Sequence, residues 1–297
     1  MKLHILNGDA IVEPIKKSAT PGELMVWREM LCEGKATATP GEITFWAERK
    51  DFFEVQLETP AQEYAKKTIG EFDKLTGWQK FDELVLWFEY DLFCQINMLA
   101  ALATCQALNV DIPISLICLG EHPSSTKLLG LGELAFGYYP ELFASRTQLS
   151  SENVAFAAKV WEAWCASDHE QLRPFSEEEH AVFKYLAPAL QAHFTRFPDK
   201  ATGLNQLETD MLQLIEEGLG TERKVVGSML RKENYFGFGD LQYFWYLDLL
   251  APLLAKEGEI LQLNELGKKV LKGEANFAEI IENKKRFYFG GARKYGV

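Results

Sequence analysis

At 297 residues, with 47% hydrophobic and 25% charged side chains, the chain has the length of about two domains and an ordinary globular composition, which excludes extended disorder. Its net charge of -12, from 31 basic and 43 acidic residues, has the wrong sign for a general binder of phosphate backbones. No apolar run approaches the ~20 residues that span a bilayer, and no secretory leader is visible in Met1-Lys2-Leu3, so a cytoplasmic location without membrane contact is expected.

Short β-rich runs alternate with helical patterns through the first half, the pattern of a parallel sheet with helices on its faces. Leu3–Leu6 ends at Asn7-Gly8-Asp9, Glu23–Trp27 at Arg28-Glu29, Leu84–Phe88 at Glu89-Tyr90-Asp91, and Ile114–Leu119 at Gly120-Glu121. Each of these strands stops at a turn that carries a carboxylate. Between the second and third, Ile43–Phe53 and Pro60–Leu75 repeat apolar residues at helical spacing. After the third, Leu92, Ile96, Leu99 and Ala103 stripe an almost uncharged segment, which predicts a helix buried on most sides.

The rear half reads as helices. Ser151–Ala166 opens on Ser and Glu, and Ser176–Phe197 is a second helical stretch that Pro188 should kink or split. Asn205 with Glu208 resembles a capping box, Thr221 can cap a further helix to about Arg231, and Gly239-Asp240 starts a third, followed by a turn at Gly258 and the strand-like Ile260–Leu263. The fold class expected is therefore α/β: a Rossmann-like, mostly parallel sheet over 1–148, a helical connector over 149–200, and a winged-helix-like unit over 201–297. The first 200 residues carry 18 basic and 29 acidic side chains, so the acidity belongs to the front domain.

Cys32, Cys94, Cys105, Cys118 and Cys165 are odd in number and widely spread, without a C-x-x-C pair or histidines at ligand spacing. Structural disulfides and a zinc site are both disfavoured.

The segments His4–Asp9, Val26–Gly34 and Leu86–Gln95 resemble an uncharacterised bacterial family, a domain of unknown function. The region from Gly203 onward, including Gly239–Trp245 and Phe289-Gly290-Gly291, resembles a partner domain of the same status. The resemblance spans most of the chain and implies an α/β domain followed by a helical one, with no established activity. Many members of the family have histidine at the position of Tyr90 and aspartate at that of Cys94; this chain departs from the pattern at both.

In open parallel sheets ligands bind beyond the carboxyl ends of the strands. Asp9, Glu29, Glu89 and Asp91 all follow strands directly and are the candidate catalytic residues. Asn7, Gly8, Arg28, Glu33, Gln95, Gly120, Gly130 and Gly132 complete the expected ligand-binding set. Clustered carboxylates raise one another's pKa unless a cation compensates. Two outlets follow: a hard metal, Mg²⁺ or Mn²⁺, held by Asp9, Glu89 and Asp91, or general acid/base work by one protonated carboxyl. The plain alternative is that Asp9 and Asp91 only cap the helices after them and that the glutamates face water. Neither G-x-G-x-x-G nor a P-loop motif occurs, so Asn7-Gly8-Asp9 is expected to be a tight turn. Cys94 reads as a packed thiol rather than a nucleophile, and His122 as a solvent-facing loop histidine.

From Glu233 through Ala255 there is no basic residue, which argues against a DNA-reading third helix. The residues Asp240, Gln242, Tyr243, Trp245 and Asp248 are expected on its surface and would suit a protein partner. The basic-aromatic tail, Lys284 to Lys294, is expected to pack back on the acidic front domain. The function expected is binding of a small phosphorylated or nucleotide-like molecule, or metal-assisted hydrolysis or transfer, at the acidic rim. The alternative is a regulatory or protein-interaction role for the C-terminal unit, with nucleic-acid binding less favoured; whether the chain is an enzyme stays open.

Overall fold

Strand β1 (Lys2–Asn7) leads through helix α1 (Val12–Lys17) into β2 (Glu23–Trp27), which lies parallel beside it with Leu3 opposite Glu23 and Asn7 opposite Trp27. This computed structural model describes every residue except Ala19, Glu233, Asn283 and Val297, and the backbone only of Lys284. The short β3 (Gly34–Lys35) is followed by α2 (Ile43–Gln56), α3 (Ala61–Tyr64), one π-helical turn and α4 (Gly70–Thr76). The chain then returns to the sheet as β4 (Glu83–Glu89), on the opposite side of β1 from β2. Helix α5 (Leu92–Ala107) leads to β5 (Ile114–Leu119), and α6 (Tyr139–Ala144) to the two-residue β6 (Thr147–Gln148). The sheet order is β2-β1-β4-β5-β6, parallel except for β6.

All but the last residue of β4 are buried, as a central parallel strand covered on both faces requires. On one face Leu6, Val85, Trp87 and Ile117 pack with Ile11, Ile15, Leu131 and Tyr139. His4 lies within this face at 0% exposure. Its Nδ1 accepts from Trp87 Nε1 at 3.0 Å, and Nε2 is 3.1 Å from the Pro21 carbonyl, which fixes Nε2 as the protonated nitrogen. On the other face lies α5, which packs on α7 (Ser151–Trp164). The expected uncharged, enclosed helix is there; its polar residues Gln95, Asn97 and Thr104 are buried, and Gln106 in its last turn is exposed.

The chain divides into two compact units. Unit 1 comprises Met1–Leu190 and Tyr288–Ala292, and unit 2 comprises Gln191–Phe287 and Arg293–Val297. In unit 1, β9 (Tyr288–Gly290) pairs in parallel with β3, Gly34 opposite Phe289. Gly290 has φ +58°, and it and Gly291 leave no room for a Cβ against the backbone at Trp164 and Cys165. Unit 2 contains α10 (Gln206–Glu216), α11 (Glu222–Arg231), α12 (Asp240–Leu249), the antiparallel pair β7 (Leu254–Glu257) and β8 (Ile260–Leu263), α13 (Glu265–Leu271) and α14 (Phe277–Ile280). The Asn205/Glu208 capping box and the Thr221 cap form as the sequence predicts.

Three expectations are corrected. The Ser176–Phe197 stretch is split, but not at Pro188: α8 (Arg173–Glu177) ends early, and α9 spans only Leu186–Phe194. Pro188 lies in the first turn of α9, where its missing N–H costs nothing, so it marks a start instead of a kink. On α12, Gln242 and Tyr243 are 5% and 1% exposed and belong to the core, which removes them from the expected contact surface. The tail divides its roles. Its aromatic strand β9 joins unit 1, but Lys294 is buried in unit 2, paired with Glu208 and 5.0 Å from the Tyr246 ring. Among the described residues no helix is long and apolar enough to cross a membrane.

Candidate functional site

The connection from β2 crosses β1 to reach β4, so the carboxyl ends of β1 and β4 flank the point where strand order reverses. Asn7 ends β1 and Glu89 ends β4. Two residues on, Asp91 caps α5, its Oδ1 accepting the Cys94 amide at 2.8 Å. The capping role is therefore real, and it delivers more than a cap: it places the Asp91 carboxylate beside Glu89 and Cys94. One ligand atom from each of Glu89, Asp91 and Cys94 lies within 4.8 Å of the others.

Neighbouring groups lock this cluster. Glu89 Oε1 accepts from the Leu131 amide at 2.7 Å, and the Cys94 thiol donates to Oε2 at 3.9 Å. The loop can approach because residue 130 is glycine: a Cβ there would stand 3.0 Å from Glu89 Oε2. Glu133 fixes the same turn by accepting the Gly130 amide at 2.7 Å. Asn7 Nδ2 donates to Cys94 Sγ at 2.8 Å, and Asn97 Nδ2 donates to Asn7 Oδ1 at 2.8 Å and to the Glu29 carbonyl at 2.7 Å. Gln95 Nε2 donates to the Glu89 carbonyl at 2.6 Å and to Cys118 Sγ at 3.3 Å, leaving its buried Oε1 without a partner.

Burial, then the charge of Asp91, pushes the Glu89 carboxyl up to about 7. Burial also raises Asp91. Cys94 is held well above the ordinary thiol range by burial first and by the two carboxylates second. An unliganded Cys94 is thus a protonated thiol, in line with its expected packing role and unlike a nucleophile, which needs a thiolate.

The other expected carboxylates lie elsewhere. Asp9 makes a two-pronged pair with Arg28, at 2.7 and 2.8 Å, and its side chain is 65% exposed. Arg28 holds the Asp9 carboxyl below its ordinary value. Asp9 caps nothing, because α1 begins at Val12 without a side-chain cap. Glu29 is buried and satisfied: Arg49 Nε donates to it at 3.0 Å, and the Tyr64 hydroxyl donates to its other oxygen. Glu33 is buried, its carbonyl accepting from Arg49 Nη1 at 2.7 Å. The β-sheet rim thus carries an exposed ion pair, a buried ion pair and the Glu89 cluster as separate arrangements.

Among the glycines, Gly8 takes φ +85° at a bend directly after β1 and donates across to the Trp27 carbonyl at 3.2 Å, and the turn closes one residue on, where the Asp9 carbonyl accepts the Val12 amide at 3.2 Å. Gly120 lies under Tyr185, whose hydroxyl accepts the Glu121 amide at 2.7 Å. A Cβ on Gly132 would meet only Ala10, at 3.5 Å. His122 is in the loop beyond β5, with its ring 4.7 Å from that of Tyr138.

Sequence reasoning missed Asn97, Arg49 and Tyr64. Signals for the first two exist in the sequence: Asn97 interrupts an apolar helix, and Arg49 falls between Phe45 and Phe52 on the buried stripe of α2. Tyr64 carries no such mark.

No protein-family model matches the chain, and no curated protein matches it. The chemical reading of the site rests on its geometry.

Proposed function

We propose that unit 1 binds a divalent cation through Glu89, Asp91 and Cys94, and that the bound ion assists hydrolysis or group transfer on a small molecule at the carboxyl end of the sheet. The observation that carries this reading is the convergence of three ligand atoms within 4.8 Å. Bonds of about 2.0–2.3 Å place tetrahedral ligands roughly 3.3–3.8 Å apart, so the group needs to close by about an ångström. Two carboxylates and one thiol suit Zn²⁺, Co²⁺, Fe²⁺ or Mn²⁺ better than Mg²⁺. A coordinated thiol gives up its proton. Three protein ligands leave a position for water or substrate, as catalytic sites require.

The finer fold assignment belongs to the same proposal: a Rossmann-like sheet in unit 1, and in unit 2 a winged-helix-like arrangement of α10 to α12 with the β7–β8 hairpin.

Cobalt tests the site. Co²⁺ added to chelator-stripped protein should give a thiolate-to-metal absorption band that Cys94→Ser abolishes and Glu89→Gln weakens. At a hundredfold excess over Kd, a cation should add about 2.7 kcal/mol to stability, or roughly 5–10 °C for a unit of this size. Melting curves unmoved by Co²⁺, Zn²⁺ and Mn²⁺ alike would remove the reading.

A further inference from the structure

Unit 1 has a second concave feature, independent of the Glu89 cluster. A cavity of about 840 Å³ is lined by α7, α8 and the turn that follows α8. Its volume falls in the range of about 300–1,000 Å³ typical of small-molecule sites.

The apolar part of the lining is aromatic. Phe156 stacks on the His180 ring at 4.3 Å and meets Phe175 edge-on at 5.6 Å. His180 contributes a ring without charge: its Nδ1 accepts the Val182 and Phe183 amides, both at 3.2 Å, and burial lowers its pKa. The polar part is mostly acidic. Glu162, Glu178 and Glu179 are exposed in the lining, and their carboxylates make no hydrogen bond or ion pair among the described residues. The lining residue that carries positive charge is Lys159, whose ammonium stands 5.8 Å from the Phe175 ring centroid.

Three carboxylates against one ammonium leave the lining net negative, and aromatic faces add further negative potential. An anionic ligand would meet that field unfavourably, whereas a neutral one would gain only apolar contact. The placement of Lys159 shows that an alkylammonium fits against this aromatic wall. We propose that the cavity binds a small organic cation: an ammonium or guanidinium group on an apolar body, its charge among Glu162, Glu178 and Glu179 and its body against Phe156 and Phe175.

Isothermal titration of the full chain with 2-phenylethylamine tests this, with 2-phenylethanol and phenylacetate as neutral and anionic counterparts of similar shape. The amine should saturate one site per chain and bind at least about tenfold tighter than the alcohol, the sum of three exposed charge contacts. Phenylacetate should not bind. The triple variant Glu162→Gln, Glu178→Gln, Glu179→Gln should lose about that tenfold, while Glu89→Gln leaves the affinity unchanged. The three glutamates are exposed, so matching thermal melts establish that the triple variant is folded. Equal binding of amine and alcohol would reduce the cavity to an apolar hollow, and tighter binding of phenylacetate would assign control to Lys159. Either result overturns the proposal, as does an amine that fails to saturate or that binds the triple variant undiminished.

Discussion

Replacing Arg49 by methionine keeps most of the side chain's bulk and removes the cation facing Glu29. The two side chains are 0% and 1% exposed, so the Glu29 carboxylate would be left buried and uncompensated. Breaking such a pair from one side costs about 3–5 kcal/mol. Arg49 also donates to the carbonyls of Met30, Glu33 and Lys35 at 2.9, 2.7 and 3.2 Å. Losing these adds roughly 1 kcal/mol each where water cannot replace the donor. A loss of about 6–8 kcal/mol is expected, a large part of the 5–15 kcal/mol by which domains are stable. Adding Glu29→Gln removes the stranded charge and keeps an acceptor for Tyr64, so the double variant should recover about 2 kcal/mol despite carrying a second mutation. Urea unfolding followed by tryptophan fluorescence is the assay, because Trp27, Trp46, Trp78, Trp87, Trp161 and Trp164 all lie in unit 1 and Trp245 alone in unit 2. A cost below about 1 kcal/mol for the single variant, or strict additivity in the double, would refute the electrostatic argument.

Other outcomes follow from the same geometry. Glu89 has a folded pKa of about 7 against an ordinary 4.5, so its contribution to stability is complete below pH 4.5 and is lost as pH rises through 7. Chelator-treated Glu89→Gln should lack that decline in a pH series of melting curves. His4 acts in the opposite sense: burial lowers its pKa from 6.5, so its contribution is present above pH 6.5 and falls away on acidification, when protonation of Nδ1 would eject the Trp87 hydrogen bond. His4→Gln should flatten the slope just below pH 6.5. Asp9→Asn, in an exposed pair, should cost less than about 1 kcal/mol and leave Co²⁺ affinity unaltered, whereas an equal loss of affinity from Asp9→Asn and Glu89→Gln would return Asp9 to the site. Lys294→Met strands Glu208, which is 0% exposed, and should destabilise unit 2 by about 3–5 kcal/mol, read from its Trp245 signal in a variant carrying only that tryptophan.

The four main strands were legible because a strand buried on both faces must be a short continuous apolar run closed by a turn, and Leu84–Phe88 and Ile114–Leu119 are just that. Caps were legible because their partners are three residues away: Asn205 with Glu208, and Thr221 with the Lys224 amide. The partners of the rim carboxylates were not. Asp9 and Arg28 meet because Asn7 and Trp27 are in register across β1 and β2, a fact of strand pairing that spacing does not encode. Glu29 is neutralised by Arg49 and hydrogen-bonded by Tyr64, both from the helices inserted between β2 and β4. Only Glu89, Asp91 and Cys94, close in sequence around one strand-to-helix turn, could be placed together from the chain itself, and there the thiol read as mere packing. Tyr243 was misplaced because α12 is apolar almost all round, so its sequence gives no indication of which face points inward.

Unit 1 is closed by a strand that arrives almost a hundred residues after the rest of it, since β9 begins at Tyr288 while the preceding stretch ends at Leu190. During synthesis the first 190 residues must therefore wait, with the flank of β3 uncovered and the seat for Gly290 and Gly291 vacant, while Gln191–Phe287 of unit 2 leave the ribosome. Cutting the chain near residue 190 or 200 does not release an intact front domain. It removes one of that domain's own strands, and an excised fragment meant to isolate the Glu89 site has to carry residues 288–292 back, for instance through a short linker, before its solubility or metal binding can be compared with that of the full chain.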